Sequence, residues 1–247
     1  MRAPQDAQVR LLELQAVDAA IAQLQHRRTS LPEHVDIANS KTKRAHLTND
    51  LVAAQTHVAD LELAQAKAES DLEPVRARRE RDRKRVADGS VTDGKQLSAL
   101  LEEIEHLGRR IGALEDVELE VMEELEAAQT REAMLSAERR DLDTGLRALI
   151  ARRDEQLGVL AADLAGRATQ RAGVLQDLPT DLVTLYERIR TRGGGVGAAE
   201  LRQGRCSGCQ LQITNADLMR FRAAPADEVL RCEECDRILV RTSQSGL

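Results

Sequence analysis

Apolar residues recur along most of this chain at steps of three and four. In the first stretch, from about Asp6 to Val86, they fall at Leu14, Val17, Ile21, Leu24, Leu31 and Val35. After a change of register they resume at Leu47, Leu51, Ala54, Val58, Leu61, Ala68, Leu72 and Val75. This spacing is the repeat of a coiled coil, because it keeps one narrow stripe turned toward a partner helix. The change of register predicts a stutter or kink beside Pro32, since an interior proline loses a helical hydrogen bond and crowds the preceding turn. Pro74 predicts a second kink. A later stretch steps more regularly, through Leu97, Leu100, Ile104, Leu107, Ile111, Leu114, Val121, Leu125, Ala128, Leu135, Leu142, Leu146 and Leu149, and ends near Asp177. Between the two stretches lie Asp88-Gly89 and Asp93-Gly94, which mark a turn, with Thr92 or Asp93 placed to cap the next helix. Two arms of similar length about a short turn predict an antiparallel helical hairpin.

Beyond the arms the pattern changes. Leu178-Pro179-Thr180-Asp181 breaks one helix and starts another, with Thr180 in the capping position. Leu182, Leu185, Tyr186 and Ile189 give that short helix a single apolar face, and Gly193-Gly194-Gly195 ends it. From about Val196 the chain reads as a small module. Leu211 and Ile213, Val229 and Leu230, and Ile238 to Val240 predict short strands, and Thr214 is placed to cap a short helix between them.

Composition sharpens this picture. The chain has 247 residues, of which 32% are charged, yet only one Tyr, one Phe and no Trp. A single large globule would need more aromatic bulk than that. The net charge of −6 gives no global attraction to nucleic acid or an acidic membrane. No stretch approaches the roughly 20 apolar residues of a membrane span, and Met1 to Arg10 carries no apolar leader core. A soluble, cytoplasmic protein is expected. In that reducing compartment, paired cysteines point to metal ligands rather than disulfides.

The four cysteines form two CxxC pairs, Cys206-Ser207-Gly208-Cys209 and Cys232-Glu233-Glu234-Cys235. Each pair presents two thiolates from one tight turn, and the intervening loop brings the pairs together. Four thiolates complete a tetrahedron around Zn²⁺ and leave no position for water or substrate, which makes the site structural. So small a module gains much of its folding free energy from the metal. Gln210 and Asp236 follow the pairs at positions where Gly often relieves the turn. The rival reading, a CxxC redox pair, normally comes as one motif beside a βαβ pattern, which is absent.

The charges cluster. Arg76, Arg78, Arg79, Arg81, Arg83, Lys84 and Arg85 form a basic run near the hairpin tip. Folding about the turn sets it against Glu102, Glu103 and Glu105, so internal pairing competes with a nucleic-acid or acidic-partner contact. Glu115 to Glu126 is acidic and contains no base; it reads as an exposed band or a dock for a basic partner. Tyr186 and Phe221, the only aromatics, are expected as core residues. The five histidines lie in the arms at spacings that match no metal or catalytic set. No nucleophile–base order or phosphate loop stands out, so an enzyme is not expected.

In this order the features resemble the bacterial C4-type zinc-ribbon proteins that carry an N-terminal coiled-coil hairpin. The residues that carry the resemblance are Asp88-Gly89-Ser90-Val91 and Lys95-Gln96-Leu97 at the tip, Leu178-Pro179, Tyr186-Glu187-Arg188-Ile189-Arg190, and the two cysteine pairs with Asp236-Arg237-Ile238-Leu239 after the second. The family pattern has Gly where this chain has Asp236, and often an aromatic where it has Val240. The resulting expectation is a mainly α protein with a long antiparallel coiled-coil hairpin over 1–177, turning near 87–94. A short helix and a four-cysteine zinc ribbon with short β-strands follow over 178–247. The resemblance implies Zn²⁺ on Cys206, Cys209, Cys232 and Cys235, and a non-enzymatic adaptor. The ribbon would contact RNA or DNA through Arg188, Arg190, Arg202, Arg205 and Arg237, and the hairpin would reach a protein partner, with no membrane and no small-molecule substrate. The alternative is a protein-only coiled-coil scaffold or chaperone-like adaptor in which the ribbon is a structural or docking head.

Overall fold

In the computed structural model, which describes residues 1–247, the elements follow in the order α1 (Gln5–Thr29), α2 (Pro32–Ala87), α3 (Gly94–Gln176), α4 (Thr180–Arg192), β1 (Ala198–Arg202), β2 (Arg205–Cys206), α5 (Asn215–Ala223), β3 (Leu230–Arg231) and β4 (Ile238–Arg241). They group into two compact units, one of Val35–Ile150 and one that joins Met1–His34 to Ala151–Leu247.

The unit Val35–Ile150 is a helical hairpin with a single apolar seam. Val58 and Leu61 from α2 meet Leu125 and Ala128 from α3, and Leu47 and Leu51 meet Leu135. These are the residues whose three-and-four spacing predicts the pairing. At the turn, Gly89 takes a positive φ of 66°. Asp93 caps α3, its Oδ1 accepting from the Gln96 N–H at 2.8 Å. Ion pairs flank the seam, among them Arg44–Asp143 at 2.7 Å and Arg78–Glu103 at 2.8 Å. The basic run thus finds one of its expected partners in Glu103. Arg76 reaches instead to Glu115, at 2.6 Å, which draws one end of the acidic band into internal pairing. Helix α2 continues through Pro74 without a break.

The second unit is built around a four-stranded sheet of order β2-β1-β4-β3. The β1 and β4 strands are parallel; β1–β2 and β3–β4 are antiparallel. Side chains alternate across it, as the pleat requires. Ala198, Ile238 and Val240 face Leu11 and Leu14 of α1 and Leu182, Leu185, Tyr186 and Ile189 of α4. Ala199, Leu201 and Leu239 face the other way, toward Cys206, Ile213, Phe221, Leu230 and Cys232. Tyr186 and Phe221 are both core residues, as expected. Gly197 permits a close approach, because a Cβ there would lie 2.7 Å from the Tyr186 ring.

Two local expectations are revised. The first arm is not one kinked helix from Asp6 to Val86: α1 ends at Thr29 and α2 begins at Pro32. Proline suits the first helical position, where its missing N–H would have no partner anyway. Leu14 consequently packs on α4 and β4 rather than in the hairpin seam. Thr180 is the first residue of α4 rather than its cap, and no side chain caps that end. The helix break at Leu178-Pro179 lies within this unit, which also takes in α1 and the end of α3.

A buried polar cluster ties α1, α3 and α4 together inside this unit. Asp18 accepts from the Tyr186 hydroxyl at 2.7 Å and from Arg171 Nε at 2.6 Å. Arg171 also donates to Glu187, and Arg190 lies 3.5 Å from Asp18. Burial first, and the Asp18 carboxylate second, raise the Tyr186 phenol well above its ordinary range. The first residues join the sheet margin: Ala3 N–H donates to Asp227 C=O at 2.7 Å and Val229 N–H to Met1 C=O at 3.1 Å.

Candidate metal centre and its arginine surround

Two turns of the same construction carry the cysteines. In the first, the Gln210 N–H donates to the Cys206 C=O at 2.8 Å and the Cys206 N–H to the Leu211 C=O at 3.1 Å. In the second, Asp236 N–H donates to Cys232 C=O at 2.8 Å and Cys232 N–H to Arg237 C=O at 2.9 Å. Both turns need a left-handed residue after the second cysteine. Gln210 and Asp236 adopt it, at φ 62° and 63°. These are the two positions at which Gly is the natural occupant, and a side chain there costs about 1 to 2 kcal/mol. The sheet brings the turns together, since β1 leads into β2 and the first turn while β3 and β4 flank the second.

All four sulfurs lie within 4.8 Å of one another. Cys206 Sγ is 3.8 Å from Cys235 Sγ, and Cys209 Sγ is 3.9 Å from Cys232 Sγ. A tetrahedral zinc site with Zn–S near 2.3 Å has sulfur–sulfur edges of about 3.8 Å. The donor set therefore fits Zn²⁺ in size, geometry and softness. Backbone N–H groups of Gly208 and Cys209 point at Cys206, and those of Glu234 and Cys235 at Cys232. Burial nonetheless raises both thiols in the metal-free state, that of Cys232 to about 12. Cys235 differs. Burial raises it too, but hydrogen bonds from the Arg237 backbone, the Cys232 and Cys209 thiols and the Arg237 guanidinium outweigh that and bring it below its ordinary range. The arrangement can hold a metal and staple the sheet, and no His, Asp or Glu joins the four sulfurs.

The five arginines expected to meet nucleic acid have separate fates. Arg190 is half-buried and committed to Glu187 at 3.0 Å, beside Asp18. Arg237 donates to the backbone carbonyls of Val196 at 3.2 Å and Gly193 at 3.0 Å, so it holds the end of α4 against the second turn. Arg202 and Arg205 are exposed, face each other across the β1–β2 pairing, and bond to no side chain. Arg188 is exposed on α4 and lines two clefts together with Arg231. The five do not form one surface. Arg241 is an internal staple, its guanidinium donating to the carbonyls of Phe221, Ala224, Pro225, Ala226 and Glu228. Arg192 and Arg231, which the spacing does not single out, join Arg188; a one-turn step from Arg188 to Arg192 on a helix of known apolar face is the signal that points to the first of them.

Comparison with known proteins agrees with this anatomy. The model of the CT398-like coiled coil hairpin domain matches residues 14–194, and that of the C4-type zinc ribbon domain matches 205–239. The chain is 37% identical to the Mycobacterium tuberculosis protein Rv2229c over 245 residues, covering 98% of each. A solved structure from Mycobacterium smegmatis superposes with a TM-score of 0.82 at 34% identity, over 98% of this chain and all of the other. CT398 from Chlamydia trachomatis superposes with a TM-score of 0.66 over 96% of this chain and 98% of its own, but at 16% identity that likeness speaks of fold alone.

Proposed function

The chain belongs to the family of CT398-like coiled-coil hairpin proteins that carry a C4-type zinc ribbon, and on that premise we propose that it is a non-enzymatic, zinc-stapled adaptor of the cytoplasm. The ribbon unit is a docking head and the hairpin an arm for a protein partner. The observation that carries this reading is the four-sulfur site: two of its edges, 3.8 and 3.9 Å, match a tetrahedron and all four sulfurs lie within 4.8 Å of one another, so four thiolates fill the coordination of a bound metal. No helix is long and apolar enough to cross a membrane, and four free thiols suit a reducing compartment. The test is capture of a defined protein partner by the zinc-loaded chain after nuclease treatment, with Cys206→Ser/Cys209→Ser as control. Capture that survives nuclease and is lost in the control supports the reading; failure to capture, or capture that nuclease abolishes, refutes it.

A second reading, contact with RNA or DNA, is favoured by one observation. Arg188, Arg202 and Arg205 are exposed and bond to no acidic group. Against it, Arg190 and Arg237 are engaged internally and both aromatics are buried, which leaves no ring to stack on a base. Binding to mixed RNA and DNA that weakens steeply with salt, and further on Arg202→Glu/Arg205→Glu substitution, supports this version; absent or salt-insensitive binding excludes it.

A further inference from the structure

Two clefts run beside the second cysteine turn, of about 340 Å³ and 650 Å³, and Arg188 and Arg231 stand in the walls of both. The smaller continues to Arg192 and Gly193 at the end of α4. The larger continues to Leu185 and Val229 and to Arg2, which the pairing of Met1–Ala3 with Asp227–Val229 carries there. Arg188 and Arg192 are exposed, and their guanidinium groups make no ion pair or hydrogen bond within the chain. Arg231 is paired with Asp236, and Arg2 lies 3.9 Å from Asp227, a loose contact. Four guanidinium groups thus line the clefts against two wall carboxylates, Asp181 and Asp236.

We propose that this groove between α4 and β3 docks an acidic peptide segment of a partner protein, its carboxylates on Arg188, Arg192 and Arg231 and an apolar side chain against Leu185 and Val229. Guanidinium groups bind carboxylates through paired, charge-assisted hydrogen bonds, and this planar match gives specificity as well as attraction. The half-buried Val229, in the same wall as Arg188 and Arg231, favours a peptide over a phosphodiester chain, and no ring is exposed for a single strand to stack on. Cys235 also lines the smaller cleft, and a loaded four-thiolate centre carries about −2, so the carboxylates rest on the arginines and not on the sulfur side of the cleft. The proposal rests on the reading of the ribbon unit as a docking head and assigns it a surface.

The probe is a fluorescein-labelled octapeptide of alternating Glu and Leu, titrated by anisotropy with the full zinc-loaded chain. A Lys-Leu octapeptide and oligothymidylate of eight nucleotides are tested alongside. The proposal expects binding of the acidic peptide alone, weakened by salt. It expects a loss of about tenfold or more in the Arg188→Glu/Arg192→Glu variant, since each charge-assisted contact is worth roughly a factor of ten. Arg222→Glu, on α5 outside the groove, is expected to leave binding unchanged. Zinc content and helical signal of each variant establish that it is folded. The proposal is overturned if the acidic peptide does not bind at low salt, if Arg188→Glu/Arg192→Glu binds it as tightly as the parent, or if oligothymidylate binds better. Should the peptide fail while the folded Arg188→Glu/Arg192→Glu chain still captures its protein partner, the groove is wrong and the adaptor reading stands.

Discussion

The hairpin Val35–Ile150 and the unit that holds the ribbon bury their apolar residues in different ways. In the hairpin most seam residues stay slightly exposed, Val58, Leu61, Leu125 and Ala128 at 7 to 9%, and Leu72 alone falls to 1%. In the ribbon unit Leu11, Leu182, Tyr186 and Leu239 are fully enclosed, because helices cover one face of the sheet and the cysteine turns and α5 the other. The hairpin is a repeated local solution, in which each seam layer supports mainly its neighbours. The ribbon unit is a non-local one, in which residues from both ends of the chain converge on a sheet too small to hold without a staple. A reach made of repeating layers tolerates damage layer by layer; a head of this kind is fixed as a whole or lost as a whole.

The contrast can be broken most forcefully at the metal. Structural zinc of this type contributes roughly 10 to 16 kcal/mol. Chelation, or Cys232→Ser, is expected to abolish the folded ribbon while most helical signal persists, as followed by amide hydrogen exchange and circular dichroism. Equal loss of protection in the hairpin would show that the two regions do not differ as described. Acidity sharpens the same point. Ligation needs thiolates, so metal is released as the pH falls. Zinc content and ribbon protection, followed together across an acid titration, are expected to fall in step.

Next in size is Asp18→Ala. It takes the short acceptor from the buried Tyr186 hydroxyl and leaves Arg171 and Arg190 with Glu187 alone, and breaking such a buried pair costs about 3 to 5 kcal/mol. Chemical denaturation is the measure, and a loss under about 1 kcal/mol would mean that the cluster is solvated. A matched pair of truncations then compares the two cores directly. Leu182→Ala should cost about 4 kcal/mol and Leu125→Ala about 2, since the second site already borders solvent and can relax; equal costs would erase the distinction. The smallest effect is a gain. Gln210→Gly relieves a left-handed side chain without removing a bond to the metal centre, and should stabilise the zinc-loaded ribbon by about 1 kcal/mol. A lower melting temperature would assign Gln210 a contact that its geometry does not suggest.

The hairpin was legible because its energetics are local: the steps from Leu97 to Leu149 name the seam without knowledge of anything distant. The metal centre was legible for a similar reason, since CxxC turns carry their geometry within four residues. What the spacing hid is convergence. Leu14 sits on the same three-and-four ladder as the arm, yet it packs on β4, and only the restart at Pro32 hints that α1 belongs elsewhere. Asp18 looks like one more surface acid until Tyr186 and Arg171 close over it. Arginine is the hardest residue to place. Arg237 and Arg241 are held by backbone carbonyls of remote loops, whereas Arg188 makes no ion pair although Asp181 and Asp236 line the same clefts. No local pattern distinguishes those three outcomes.

If four thiolates close the metal site of the ribbon unit, X-ray absorption at the zinc edge of the purified full chain gives one zinc per chain with four sulfur neighbours at about 2.3 Å. A shell of three sulfurs with an oxygen or nitrogen ligand, or a metal that water or an added anion can enter, would contradict it and reopen the question of an enzyme.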